Sequence, residues 1–173
     1  MAENETFEAA PRRPHINGKV QKWLKSTRDE DGDLLAGNWV ASIMPHLRLL
    51  ETSSEGCHSS VSFVFTVQPE HCNRMHSLHG GCIATIFDFT TTMVMALVTR
   101  PGFWQSMGVS RSLNVTYLRP AAAGTELLIE CEIVQVGKTL ATLKGIMRTK
   151  KDGRITATCE HGKVNNDSRS HLS

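Results

Sequence analysis

The 173-residue chain has no long apolar segment and no basic cluster, and its first residues lack the pattern expected of a secretory signal. Its longest apolar run, residues 93–98, is far shorter than the roughly 20 residues that a membrane-spanning helix needs. The net charge is only +2 and the lysines and arginines are scattered, which argues against a nucleic-acid surface. The first residues hold Glu3, Glu5 and Glu8 and no apolar h-region, so they do not read as a secretory signal and disfavour a mitochondrial presequence.

The chain also lacks the cysteine spacing of a disulfide framework. Its five cysteines are an odd number, and no CxxC pair is present. Reduced thiols in an intracellular compartment, the cytoplasm or the mitochondrion, are therefore expected. No internal repeat or low-complexity block interrupts the sequence, and this length is typical of one domain.

The hydrophobic pattern predicts one long helix among several strands. Residues 58–67 alternate, with Val61, Phe63 and Phe65 on one face, as in a strand. Residues 80–99 are apolar nearly all round, which predicts a buried helix of five turns. Four further strands are predicted after it, and the short polar links between them favour an antiparallel meander. Their ranges are 110–118, 125–136, 140–149 and 154–164.

The predicted fold class is α+β, with one central helix enclosed by a curved antiparallel sheet in the order strand, helix, four strands. Val20, Trp23 and Leu24 have helical spacing and predict a short amphipathic helix near the N-terminus. Residues 34–56 are expected to hold a second short helix before a strand. We divide the chain into an N-terminal extension (1–45), partly loose with short helices, a main domain (46–164) and a flexible tail (165–173).

Asp88 is the unusual residue of the predicted helix, because it lies in the middle of an apolar stretch. An unpaired buried carboxylate is costly, so it finds donors or shifts its pKa. One interpretation is structural: Thr90, Thr91 or Thr92 satisfies it, or it faces solvent. The other is catalytic, and residue chemistry alone leaves both open.

The start of the same helix has the sequence His79-Gly80-Gly81. Glycines permit close approach to the backbone, and the first helical turn leaves N–H groups unpaired, so this end can hold a developing oxyanion. Asp88 lies eight residues further on, about 12 Å along the helix. One helix cannot place both groups on the same carbonyl, whereas two antiparallel copies can. This geometry predicts a dimer with composite sites.

Three segments carry a resemblance to a known family. The segments NRMHSLHGGCIATIFDF (73–89), GVSRSLNVTYLRPA (108–121) and VGKTLA (136–141) resemble the hotdog-fold acyl-coenzyme A thioesterases. The branch is the phenylacetic-acid-degradation and thioesterase superfamily member 2 type. The resemblance covers about residues 57–164 and implies an acyl-coenzyme A thioester hydrolase that acts as a homodimer, which in this family often assembles into a homotetramer. The implied role of coenzyme A is as part of the substrate, with no separate cofactor and no metal.

The resemblance also implies a role for each matching residue. The Gly80 N–H would donate to the thioester oxygen, with Asn73 assisting it. Asp88 of the other subunit would act as nucleophile or as general base on water, and Ser110 would orient it. His79 would support the oxyanion loop.

Two further segments resemble those that line the family's coenzyme A channel. In turns beside strands, Arg119 and Lys138 can reach phosphate oxygens, although ordinary turn solvation explains them equally well. Ser112 follows Ser110 by two residues, which predicts the same strand face and a place in the channel. The segments comprise Tyr117, Leu118, Arg119, Pro120, Ala121 and Ala122, and Gln135, Val136, Gly137, Lys138, Thr139 and Leu140.

One residue departs from the family pattern. His76 stands where the family usually has glycine, three residues before the histidine of the oxyanion loop. If that turn needs a positive φ, a histidine there is strained, though less than a branched residue would be. A surface histidine is the simpler interpretation.

Four other functions remain as alternatives. A zinc site could draw on the histidines and cysteine of residues 71–79 with Cys159 and His161, but no CxxC pair supports it. A serine hydrolase is disfavoured because the segment GVSRS lacks the second glycine of a nucleophile elbow and opens a strand. A dehydratase of the same fold arranges its histidine and acid differently. A non-catalytic hotdog protein that only binds acyl-coenzyme A is the main alternative.

Overall fold

The computed structural model describes residues 17–26, 39–55 and 58–167, with the side chains of Glu55 and His58 left out. It contains two α-helices and six strands, with 3₁₀ turns at Met44–His46 and Pro69–His71. The elements are α1 (Gly18–Lys25), β1 (Leu47–Glu55), β2 (His58–Thr66), α2 (Gly80–Met95), β3 (Val109–Tyr117), β4 (Glu126–Val136), β5 (Leu140–Thr149) and β6 (Ile155–Val164). The four strands predicted after the helix are confirmed, with bounds that differ by at most one residue. The described part has no helix long and apolar enough to cross a membrane.

The strands form one antiparallel sheet in the order β1-β2-β4-β5-β6-β3. The prediction of a single strand before the helix was incomplete, because β1 forms the edge beside β2. Its alternation is hidden by an irregularity between Leu49 and Glu51, which shifts the register of its pairing with β2. The α+β architecture itself is as predicted.

The meander holds for β4, β5 and β6 but is wrong for β3. That strand pairs with β6 at one edge of the sheet, and residues 118–125 carry the chain across to β4, which lies between β2 and β5. The backbone N–H groups of Leu118 and Arg119 both donate to the Thr156 carbonyl, so the chain still follows β6 beyond the end of β3. This crossing leaves β3 as an open edge strand.

Helix α2 packs against the sheet and positions the candidate site. His79 caps its start by accepting the Gly81 N–H at Nδ1, 2.9 Å away. The helix ends at Met95 rather than at the predicted Thr99, because the next three residues, 96–98, each donate a tighter bond to the carbonyl three residues back.

The core lies between α2 and the inner face of the sheet. Ile86 and Phe87 of the helix are fully buried, together with Phe63, Leu127 and Leu143 of the strands. Gly145 of β5 allows this close approach, since a Cβ atom there would lie 2.7 Å from Cδ1 of Phe87.

The N-terminal amphipathic helix is confirmed as α1. Val20 is fully buried, and Asn17 caps the helix by accepting the Lys19 N–H. Lys19 Nζ in turn donates to the Thr99 carbonyl just beyond α2. The residues predicted as the loose N-terminal tail, and much of the segment expected to hold a second helix, lie outside the described residues. The division at residues 45 and 164 stays a prediction.

Candidate active site

Asp88 lies on the outer side of α2, where its side chain is half-exposed and reaches the start of β3. Ser110 Oγ lies 2.6 Å from Asp88 Oδ1 and donates to it. The neighbouring threonines do not satisfy the carboxylate: the Thr92 hydroxyl donates to the Asp88 backbone carbonyl instead, one turn along the helix. Asp88 is therefore paired with the serine singled out in the sequence and is still open to solvent.

A buried histidine extends this pair inward. His161 of β6 is fully buried, and its Nε2 lies 2.9 Å from Ser110 Oγ and 3.5 Å from Asp88 Oδ1. Its Nδ1 lies 2.7 Å from the hydroxyl of Thr91, which donates to the Phe87 carbonyl. From the sequence His161 was a candidate metal ligand only, and its place beside Ser110 and Asp88 was not predicted.

The proton count gives the network its chemistry. Ser110 Oγ donates to Asp88 Oδ1, so its lone pairs can accept a further bond. A neutral His161 with its proton on Nε2 donates to Ser110 Oγ and accepts the Thr91 hydroxyl at Nδ1, which satisfies every bond of the network. With its proton on Nδ1 the ring instead donates to Thr91 Oγ1, whose hydroxyl then donates to the Phe87 carbonyl, and Nε2 is an acceptor beside Ser110. In both tautomers Ser110 links the Asp88 carboxylate to the buried imidazole.

Lys163 lies two residues beyond His161 on the same inner face of β6. It is only 2% exposed, and its Nζ donates to Thr92 Oγ1 at 3.0 Å. Burial lowers the pKa of Lys163 to about 8, against an upward pull from Asp88. Burial, reinforced by the positive charge of Lys163, lowers the pKa of His161 to about 4, although Asp88 acts in the opposite direction. At neutral pH the imidazole of His161 is therefore uncharged.

The start of α2 forms the second part of the candidate site. Among the residues that the structure describes, no acceptor takes the Gly80 N–H, whereas His79 takes that of Gly81. The Gly80 carbonyl accepts from the hydroxyl of Tyr117, which is 53% exposed, at 3.0 Å. The predicted oxyanion donor is thus available at the helix N-terminus, next to the end of β3.

The loop before α2 is held by Asn73. Its Oδ1 accepts the N–H groups of Met75 at 2.9 Å and Ser77 at 3.3 Å, which closes the turn around His76. His76 has φ = 56°, so the expected strain at this departure from the family pattern is present. Asn73 therefore shapes the loop that carries Gly80, and its role toward a substrate stays a prediction.

Within one chain the two parts of the candidate site lie far apart. Ser110 binds Asp88 at one end of β3, and Tyr117 contacts Gly80 at the other end. Tyr117 lies seven positions after Ser110, which corresponds to roughly 20 Å of strand. The separation predicted along α2 is therefore repeated along the neighbouring strand.

The two predicted coenzyme A segments divide between these ends. Residues 117–122 lie beside the oxyanion loop: the Leu78 N–H donates to the Ala121 carbonyl at 2.8 Å, and Ser77 bridges to Ala122. Arg119 is exposed, and its Nη1 donates to the Ile155 carbonyl.

Residues 135–140 lie at the Ser110 end. Leu140 pairs with Val164 of β6, and Val164 pairs with Val109, the residue before Ser110. The exposed Lys138 is at the tip of this turn. The second segment therefore accompanies Asp88, and the first accompanies Gly80.

The prediction that Ser112 shares a face with Ser110 is wrong. An irregularity between them breaks the alternation, since Ser110 pairs with Lys163 and Ser112 pairs with Gly162. Ser112 Oγ lies 2.6 Å from where a Cβ atom of Gly162 would be, on the face opposite to His161. Of the two serines, only Ser110 faces the network of Asp88 and His161.

An open groove of about 380 Å³ lies beside Asp88. Trp39, which is 83% exposed, forms part of its wall and donates from Nε1 to Thr85 Oγ1 at 3.2 Å. Phe89 also lines the groove, whereas the nearby Phe87 and Met93 of α2 are buried in the core. The walls of the groove are Trp39, Val40, Ala84, Thr85, Asp88, Phe89, Thr92 and Leu113.

The proposed zinc ligands do not converge in the described part of the chain, which holds no group of three or more histidine, cysteine or acidic side chains placed to bind a metal. His71 is buried and bonds the Ser42 carbonyl through Nε2. Burial raises the pKa of Cys131 and Cys159 to about 12, so neither thiol is a ready nucleophile.

The chain is similar in sequence and in fold to several known proteins. Residues 75–156 match the thioesterase superfamily. Acyl-coenzyme A thioesterase 13 of Mus musculus is 36% identical over 97 residues, which is 56% of this chain and 66% of that protein. The match thus spans just under two thirds of that relative. Zebra fish thioesterase superfamily member 2 superposes with a TM-score of 0.66 at 25% identity, over 84% of this chain and 95% of that one. The Mus musculus thioesterase superfamily member 2 gives 0.63 at 28% identity, over 84% and 93%.

Proposed function

We propose that this chain, of which residues 75–156 match the thioesterase superfamily, hydrolyses the thioester of an acyl-coenzyme A to the free acid and coenzyme A. The observation that carries the proposal is the network of Asp88, Ser110 and His161, in which Ser110 holds a half-exposed carboxylate that lines a groove. The alternative is a protein of the same fold that binds acyl-coenzyme A without cleaving it.

In the proposed reaction Asp88 is a general base. The thioester oxygen accepts the Gly80 N–H, and a water held by Asp88 attacks the carbonyl carbon while its proton passes to the carboxylate. The C–S bond then breaks, and the departing thiolate takes that proton. Ser110, which hydrogen-bonds Asp88 and contacts Nε2 of His161, would hold the carboxylate in place through this step.

A composite site between two copies follows from the open edge of the sheet. Strand β3 has exposed Val109 and Tyr117 at its two ends, and its outer backbone edge is unpaired in the described chain. Antiparallel pairing of two β3 strands, with Ser110 opposite Tyr117 of the partner subunit, brings Asp88 to Gly80 of the partner subunit. The two coenzyme A segments, divided within one chain, then meet as well. Assembly of two dimers into a tetramer stays a prediction.

The groove beside Asp88 is the proposed place of the acyl group. Its aromatic and aliphatic wall, with Trp39 and Phe89, suits an apolar chain or ring. Coenzyme A would extend along the predicted segments 117–122 and 135–140, where Lys138 can reach a phosphate oxygen.

Hydrolysis of a panel of short, medium, long and aromatic acyl-coenzyme A esters tests the proposal. Asp88→Asn should lower kcat by about 10²- to 10⁴-fold, because the amide cannot accept the water proton. Glu132→Gln, an exposed change on the outer face of the sheet, is the matched control and should leave kcat unchanged. A wild-type protein that binds coenzyme A but hydrolyses no ester would instead establish the binding-protein alternative.

Mixing two inactive variants tests the composite site. Gly80→Pro removes the donor N–H at the first position of α2, where proline is well tolerated. Mixed dimers of Gly80→Pro and Asp88→Asn retain one intact site, so unfolding and refolding an equal mixture should restore about one quarter of wild-type activity. A mixture as inactive as its components would show that both groups act within one chain.

A further inference from the structure

The turn between β4 and β5 is tied down at every carbonyl. The Gly137 carbonyl accepts from Trp104 Nε1 at 2.7 Å. The Lys138 carbonyl accepts from Asn165 Nδ2 at 3.0 Å, and the Thr139 carbonyl accepts from the Asn165 N–H at 2.8 Å. Three consecutive carbonyls of a surface turn are thus held by two residues from elsewhere in the chain.

This anchoring sets the direction of the N–H groups in the turn. In a trans peptide the C=O and the following N–H point opposite ways, and the described residues contain no cis peptide bond. With the carbonyls of Gly137 and Lys138 directed at Trp104 and Asn165, the N–H groups of Lys138 and Thr139 point away from those two side chains, outward from the turn. No acceptor in the described part of the chain takes either N–H. Successive outward N–H groups beside a lysine ammonium suit an anionic oxygen.

Trp104 donates to the Gly137 carbonyl from a strained backbone conformation. It is fully buried and has φ = 52°, a left-handed value that is rare for a bulky residue. Gly108 makes room for its ring, since a Cβ atom there would lie 2.5 Å from Cζ3 of Trp104. Such strain persists only where the surroundings fix it, and it is concentrated at functional sites.

The residues after β6 join the Trp104 loop to the turn. Asp167 accepts the N–H groups of Gln105 at 2.7 Å and Ser106 at 3.1 Å. Its own N–H donates to Asn165 Oδ1 at 3.0 Å. The loop, the turn and residues 165–167 therefore form one connected unit, two strands away from Ser110.

We infer that Trp104 is a positioning residue for coenzyme A: by fixing the β4–β5 turn it directs the Lys138 and Thr139 N–H groups, with the Lys138 ammonium, toward the phosphates of the substrate. This inference rests on the proposed function, which supplies the phosphate-bearing ligand. Asn165 shares the task through its two bonds to the turn.

Trp104→Phe tests the inference, because it keeps a buried ring and removes the Nε1 donor. Its kinetics are compared on two thioesters of one acyl group, the coenzyme A ester and the N-acetylcysteamine ester, which has no phosphate. We expect KM for the coenzyme A ester to rise about three- to tenfold with kcat unchanged, and the N-acetylcysteamine ester to be unaffected. Trp23→Phe, on α1, is the matched control and should leave both substrates unchanged.

Equal losses on both thioesters, or no loss on either, would overturn the inference. If Trp104→Phe fails to fold by thermal unfolding, Asn165→Ala replaces it, with an expected two- to threefold rise in KM for the coenzyme A ester alone. If the wild-type protein hydrolyses neither ester, the proposed function fails, and calorimetric titration with coenzyme A and with pantetheine decides on Trp104 separately. A variant that binds coenzyme A as tightly as the wild type, or a wild type that does not bind it, would refute the positioning role.

Discussion

Replacing Lys163 by methionine should make the folded chain more stable. The lysine is 2% exposed under α2, and its ammonium has the hydroxyl of Thr92 as hydrogen-bond partner. Burial lowers the pKa of Lys163 from 10.5 to about 8, even though the Asp88 carboxylate favours the charged form. In the folded state, burying the charged ammonium of Lys163 therefore costs more free energy than its interactions with Thr92 and Asp88 contribute.

The size of the effect follows from the pKa. A pKa lowered from 10.5 to about 8 corresponds to about 3 kcal/mol of destabilisation of the protonated folded chain. The full cost applies below pH 8, where lysine is protonated in both states, and it disappears as the pH rises toward 10.5. Methionine has a similar length and no charge, and the lost hydrogen bond to Thr92 costs about 1 kcal/mol. The net gain at pH 7 is about 2 kcal/mol, or a rise in Tm of about 4–8 °C.

Urea denaturation at fixed protein concentration, at pH 7 and at pH 10, measures this gain. The variant should be more stable than the wild type at pH 7, and most of the difference should vanish at pH 10, because the wild-type lysine is by then largely neutral in the folded state. Lys163→Arg keeps the charge and should show no gain. A less stable Lys163→Met at pH 7, or a gain of the same size at both pH values, would refute the reasoning.

Two further perturbations act on the layer between α2 and the sheet. The folded chain should lose up to about 3 kcal/mol of stability as the pH falls from 6.5 to 4, because burial lowers the pKa of His161 to about 4 while the unfolded chain takes up the proton near 6.5. Urea denaturation across this pH range measures the loss, which should be smaller in His161→Gln. An equal dependence of the unfolding free energy on pH in both proteins would contradict the prediction. Gly145→Ala should cost about 1–3 kcal/mol and also lower kcat, because its Cβ atom would lie 2.7 Å from Phe87 and 3.1 Å from Thr91, the support of His161. Gly18→Ala, which meets no atom within 4 Å, is its control in thermal unfolding and activity assays, and equal behaviour of the two would disprove the overpacking.

The elements that depend on local sequence could be predicted well. Turn residues separate the strands after α2, so their bounds follow from the chain itself. The glycine pair after His79 marks the helix start for a local reason as well, since the histidine caps the Gly81 N–H. The position of Asp88 on α2 and its pairing with Ser110 were also within reach, the second through the family resemblance.

The features that failed depend on pairings between distant strands. Nothing in the sequence of residues 118–125 shows that they cross the sheet rather than turn back, so a meander of four strands was the simplest prediction. The same limit hid the irregularity before Ser112, because a rule of period two assumes an unbroken strand. Ser110 and His161 are 51 positions apart, and only the pairing of β3 with β6 brings them within 2.9 Å.

The sequence of β6 nevertheless contained a signal for the buried residues of the site, His161 and Lys163. Its inward positions are Cys159, His161 and Lys163, which alternate with the exposed Glu160 and the half-buried Gly162. Imidazole and ammonium groups in the core register of a strand are costly unless a partner meets them. The helix that covers this strand offers one carboxylate, Asp88. An apolar helix with a single acid and a buried strand with two basic groups therefore each lack what the other provides, and this complementarity indicates that His161 and Lys163 face Asp88.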